Sequence, residues 1–183
     1  MKGNTSMINL KRRASRRALS CVAYGALVVT LGAAPALAST TTTTMAVTAT
    51  VLSSCLVVAT PLVFGNYSSS SATPTDATST VTATCTAGTP YTVALDSGTT
   101  SGATVAARAL ANLALTTDQL NYNLYTNAGH STLWGDGTSS TVTQGNNNPG
   151  VTPDIYTVYG RIPVHQNVSA LAYTDLVTVT LTY

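Results

Sequence analysis

Cys55 and Cys85, His130 and His165, and Asp76, Asp96, Asp118, Asp136, Asp154 and Asp175 are the side chains with which this sequence could do chemistry. A zinc centre needs three or four ligands at short, recognisable spacings. The two cysteines stand thirty residues apart, and neither histidine is placed to join them, so the spacing does not favour a metal. Nucleophilic catalysis fares no better, because the many serines and threonines lack a nucleophile-elbow motif or any other catalytic spacing around either histidine. Glutamate is absent, which removes the usual general acid of glycoside chemistry. The expectation is a chain that is no enzyme and holds no cofactor or metal. Within it His130 reads as a loop residue and His165 as a solvent-facing strand end. Asp136, between Gly135 and Gly137, reads as a hairpin turn, and Asp96 and Asp175 read as turn or edge residues.

The elements around these residues begin after an export signal. Lys2, Lys11, Arg12, Arg13, Arg16 and Arg17 form a basic start, Ala18 to Ala34 is largely apolar, and Pro35-Ala36-Leu37-Ala38 offers small residues for cleavage after Ala38. Residues 1–38 are therefore expected to be removed, Cys21 with them. What remains carries two arginines against six aspartates, a net charge of −4, and no lysine. Such a chain has little with which to neutralise a phosphate backbone, so nucleic acid is not an expected partner, and no membrane span is expected in the mature chain. In an oxidising compartment the even pair Cys55 and Cys85 argues for one disulfide.

The mature chain is rich in threonine and valine, poor in charge, and without apolar spacing of helical period over three turns, so it reads as one all-β domain. Strands are expected over Met45–Leu52, Leu56–Phe64, Thr78–Thr86, Tyr91–Leu95, Leu120–Thr126, Ile155–Pro163 and Tyr173–Tyr183. Thr104 to Leu115 reads as a strand edge or a short turn of helix. Serine-, glycine- and asparagine-rich stretches, including Gln144 to Gly150, read as the turns between strands. About seven short strands with one disulfide fit an immunoglobulin-like sandwich. Two runs alternate with period two. At the end of the chain Tyr173, Val177, Val179, Leu181 and Tyr183 share a face, and near the start Met45, Val47, Ala49 and Val51 share another.

Six segments in order carry a resemblance: Cys55 followed by Phe64-Gly65-Asn66-Tyr67; Cys85-Thr86-Ala87-Gly88-Thr89-Pro90-Tyr91; Leu120-Asn121-Tyr122-Asn123-Leu124-Tyr125; Leu133-Trp134-Gly135-Asp136-Gly137; Tyr159-Gly160-Arg161-Ile162-Pro163; and Tyr173-Thr174-Asp175. On these the chain resembles the spore coat protein U family, which includes major subunits of archaic chaperone–usher pili. The family usually has a glycine two residues before the final tyrosine–aspartate pair. Leu171-Ala172 occupies that stretch here, so the turn into the last strand is expected to differ.

The resemblance implies an incomplete immunoglobulin-like sandwich, completed by donor-strand complementation. Residues 39–51 would be the donor extension and 52–183 the sandwich domain. Met45, Val47, Ala49 and Val51 would enter the groove of a neighbour, whose edge is Val177, Val179, Leu181 and Tyr183. The implied partners are identical or related subunits in a homo-polymer, a periplasmic chaperone and an outer-membrane usher. The implied location is the periplasm in transit, then the cell surface or a secreted fibre serving adhesion and biofilm formation. The same segment 45–51 could instead be the domain's own first strand. The alternative function is a secreted coat-like or adhesin domain that binds a surface or glycan, with Trp134 and the tyrosines as its aromatic platform, and does not polymerise.

Overall fold

The computed structural model describes residues 37–112, 114 and 118–183, so the basic and apolar parts of the expected signal lie outside the described residues. The chain divides into two units, Met1–Val47 and Thr48–Tyr183. In the first, residues 37–47 are exposed and carry neither helix nor strand. The second is an all-β sandwich whose described residues contain no helix.

The described residues form nine strands in order: β1 (Cys55–Ala59), β2 (Thr75–Cys85), β3 (Tyr91–Leu95), β4 (Arg108–Asn112), β5 (Gln119–Tyr125), β6 (Gln144–Asn146), β7 (Asp154–Ile162), β8 (Tyr173–Thr174) and β9 (Val179–Thr182). One sheet has six strands in the order β1-β2-β7-β5-β4-β8, the other three in the order β6-β3-β9, and every ladder is antiparallel.

Alternation decides which face each strand buries. In β2, Ser79, Val81, Ala83 and Cys85 point inward, while Thr78, Thr80, Thr82 and Thr84 stand on the outer face, where β-branched hydroxyl side chains suit a pleated surface. Val158 and Ile162 of β7, Leu120, Tyr122 and Leu124 of β5, and Tyr91, Val93 and Leu95 of β3 complete the core. Trp134 lies fully buried at its centre and donates its indole N–H to the Val93 carbonyl at 3.1 Å. It is not available as a sugar-stacking platform, which removes the main aromatic of the glycan-binding alternative. Cys55 and Cys85 are register partners on β1 and β2 and are disulfide-bonded.

Several expectations need correction. Met45–Leu52 alternates like a strand but carries none, because a strand exists only with a ladder partner and the described residues supply none to it. β1 ends at Ala59 rather than at Phe64: Thr60 donates the last backbone bond, to Thr80, and Pro61 has no N–H to continue. Leu62, Phe64 and Tyr67 nevertheless turn inward, and Gly160 of β7 makes this possible, since a Cβ there would lie 2.8 Å from Phe64 Cζ and 2.9 Å from Leu62 Cδ1. Of the two readings of the segment around Arg108, strand edge or short turn of helix, the strand holds, as β4, while the expected Gln144–Gly150 loop begins with β6. The final run splits into β8 and β9 with Asp175–Thr178 between them. The turn entering it needs no left-handed residue at Leu171 or Ala172; a bond from Leu171 N–H to Ser169 O closes it at 2.9 Å.

Candidate functional site: the open side of the sandwich

Both sheets finish at the same side with an inner row that is only half covered. Val93 and Leu95 of β3 are fully buried, yet their register neighbours Leu181 and Val179 on β9 are half-buried. The difference follows from pairing: β3 lies between β6 and β9, whereas β9 has β3 on one side and no strand of the described residues on the other. The six-stranded sheet repeats the pattern. Ala83 and Cys85 of β2 are buried, while Val57 and Cys55 beside them on the edge strand β1 are not. β1 and β9 approach each other across this opening with no ladder between them. The half-covered rows beside these two edges, which no strand of the described residues pairs, make up the candidate cleft, an apolar surface of a kind that soluble proteins ordinarily cover.

Of the residues expected at the groove edge, Val177, Val179 and Leu181 lie in the half-buried row, whereas Tyr183 is exposed. Residues 62–69 and 168–175, with Leu110, Leu120 and Ile162, line a half-open pocket of about 870 Å³. The residues expected in the extension behave differently. Met45, Val47 and Val51 are each more than four-fifths exposed, Ala49 is exposed, and none belongs to a strand.

A polar assembly holds the run that leads into β9. Asp96 Oδ1 accepts the Thr178 N–H at 2.8 Å and the Gly98 N–H at 2.9 Å. Burial raises the Asp96 pKa, but the bonds from Thr178 and Gly98 and the charge of Arg108 outweigh it, leaving a net lowering. Asp175 Oδ1 accepts the N–H groups of Thr99 and Thr100 at 2.8 and 3.3 Å, and its Oδ2 accepts the Tyr122 hydroxyl at 2.7 Å. Burial, then that bond to Asp175, pushes the Tyr122 phenol well above its ordinary range. Gly98, at φ 83°, lies directly beneath Asp175, and any Cβ there would collide with the carboxylate.

Beneath them Arg108 is fully buried. Its guanidinium donates to the carbonyls of Asp96 (2.8 Å), Val105 (3.0 Å), Leu95 (3.1 Å) and Trp134 (3.0 Å). Burial lowers its pKa, and Tyr122, Asp96 and Asp175 act in the opposite direction. Sequence reasoning missed this residue; the one available signal was an isolated arginine within an alanine- and leucine-rich strand.

The remaining chemical candidates are dispersed. His165 is exposed in the loop after β7. His130 does sit in a turn, at φ 52°, but its ring is buried against Tyr125 and Tyr159, 3.8 Å from Asp76. Asp136 caps its own turn through the Thr138 N–H at 2.9 Å. Among the described residues no three of His, Cys, Asp and Glu gather into a possible metal site, and no helix is long and apolar enough to cross a membrane.

Comparison with known proteins agrees with this architecture. A chain in the crystal structure of the CsuC-CsuE chaperone-tip adhesion subunit pre-assembly complex, from the archaic chaperone-usher Csu pili of Acinetobacter baumannii, has a similar fold. Its TM-score is 0.53 at 24% identity, covering 73% of this chain and 40% of that one. This chain thus spans well under half the length of the solved one. No curated protein matches the sequence. The family model of the Spore Coat Protein U domain matches residues 41–180, and the chain belongs to that family.

Proposed function

We propose that this chain is an exported structural subunit of an archaic chaperone–usher-type pilus, polymerising by donor-strand exchange. The observation that carries the reading is the pairing of opposites among the described residues: β9 has an unpaired edge and a half-buried inner row, while residues 45–51 alternate, are exposed and have no ladder. Met45, Val47, Ala49 and Val51 of one copy enter the cleft beside Val177, Val179 and Leu181 of the next. Their two-residue spacing matches the pitch at which a strand sends side chains to one face, and the backbone between them supplies the missing ladder. Because the contact is head-to-tail and does not close on itself, the product is a filament.

Residues 1–38 act as the export signal. In the periplasm a chaperone strand covers the cleft, and an outer-membrane usher exchanges it for the next copy's extension. The fibre then stands at the cell surface, serving adhesion and biofilm formation. The test is to express the mature chain with and without residues 39–49 and compare assembly. Fibres form from the complete chain alone; a truncated form that polymerises as readily removes the donor assignment. A chain that stays monomeric and binds a glycan or surface is instead the adhesin of the alternative.

A further inference from the structure

The outer face of the six-stranded sheet carries a second apolar surface, which the cleft does not use. Through the register of β1, β2 and β7, Val58 lies beside Thr82 and Thr82 beside Ile155, with Leu56 beside Thr84. All five alternate away from the core, and with neighbouring strands about 4.8 Å apart they form one continuous patch. Leu56, Val58 and Ile155 are 64%, 55% and 68% exposed, and Val151, in the loop just before β7, is 81% exposed. The nearest charge, Asp154, is engaged by the Tyr91 hydroxyl and the Asn146 amide. A contiguous uncharged apolar surface of this kind marks an interaction site.

Its position identifies the occupant. The segment before β1 leaves the sandwich at this same end and is held there: Thr86 accepts the Ser54 N–H on its hydroxyl at 3.1 Å and donates its own N–H to Ser54 O at 2.8 Å. Only Leu52, Ser53 and Ser54 separate Val51 from the disulfide-locked Cys55. Those four steps of chain span at most about 14 Å. Any molecule that has taken in residues up to Val51 must therefore stand against this end of the sandwich.

We propose that Leu56, Val58, Val151 and Ile155 form the seat on which the copy receiving this chain's extension rests, a lateral contact additional to the inserted strand. The seat rests on the donor-strand reading above. It turns a short tether, which would otherwise act as a hinge, into a joint of fixed angle, and so sets the stiffness of the fibre.

The experiment compares fibres of the unaltered chain with fibres of a triple variant, Val58→Thr, Val151→Thr and Ile155→Thr. Threonine preserves strand preference and matches Thr82 and Thr84 alongside. The variant is expected to give the same yield of fibres with a shorter bending persistence length in electron micrographs. Equal persistence lengths overturn the seat while leaving strand exchange intact. Val151→Asp, in a loop and therefore harmless to the sheet, is expected to reproduce the softening on its own. Variant fibres of unchanged stiffness that no longer adhere to a solid surface reassign the patch to a foreign partner and overturn the proposal. If the unaltered chain makes no fibres, the donor-strand reading fails and the seat fails with it.

Discussion

Replacing Val47 with aspartate separates folding from assembly. Val47 is four-fifths exposed and unpaired, so the substitution leaves the stability of the free chain within about 0.5 kcal/mol, as for other surface positions. In the proposed joint the same side chain lies in an apolar cleft. There the loss of the buried valine costs roughly 1.5 to 3 kcal/mol. An unpaired carboxylate adds a desolvation penalty of about 2 kcal/mol or more. A total of about 4 kcal/mol weakens each joint on the order of a thousandfold. The built-in control is Thr48→Asp, one residue along: its side chain points to the opposite face of the extended segment and stays in water. Thermal unfolding of the free protein and counts of fibres in electron micrographs read the two effects separately. Val47→Asp should melt normally and make no fibres, and Thr48→Asp should melt normally and make fibres. Equal fibre yields from the two variants would refute the alternation argument.

Three further outcomes follow from the polar and covalent framework. Arg108→Met strands four carbonyls and is expected to destabilise the domain by about 3 kcal/mol or more in urea unfolding, as leaving buried acceptors without their charged donor does. Asp76, bonded to Arg161, and Asp96, bonded to Thr178 and Gly98, both titrate below the ordinary value of 3.8. Because their folded pKa values are depressed, the stability they contribute is present above the ordinary carboxylate value and is lost as pH falls through the lower folded one. The melting temperature should thus fall below about pH 4, and Asp96→Asn should blunt that fall. Breaking the Cys55–Cys85 bond, which closes a thirty-residue separation, should cost about 3 to 4 kcal/mol in the chain-entropy treatment, read as a lower denaturation midpoint under reductant.

The strands most legible in the sequence are those whose own side chains decide them. Tyr91–Leu95 coincides with β3, and Leu120–Thr126 lies one residue from β5, because alternating aromatic and branched residues face a core on one side only. Elements made by their partners were not legible. β6 is Gln-Gly-Asn, a turn-like composition that is a strand only because Tyr91, Thr92 and Val93 pair with it. β4 reads as strand edge or helix turn from its alanines and leucine, and its ladder with β5 decides for the strand. The split of the final run was hidden because Asp175, in an alternating series, is drawn into the 98–100 loop by hydrogen bonds that no local pattern announces. The half-covered row of Val177, Val179 and Leu181 was visible as a pattern; Arg108 beneath it was not, since its four acceptors are main-chain carbonyls spread from Leu95 to Trp134.

A helical reconstruction of the assembled fibre by electron cryomicroscopy reads the path of the backbone through the cleft. The expected density is an extended strand paired with the free edge of β9 in each copy, with Met45, Val47, Ala49 and Val51 of the adjoining copy turned inward. A cleft that is empty, or filled by residues 45–51 of the same copy, would contradict it.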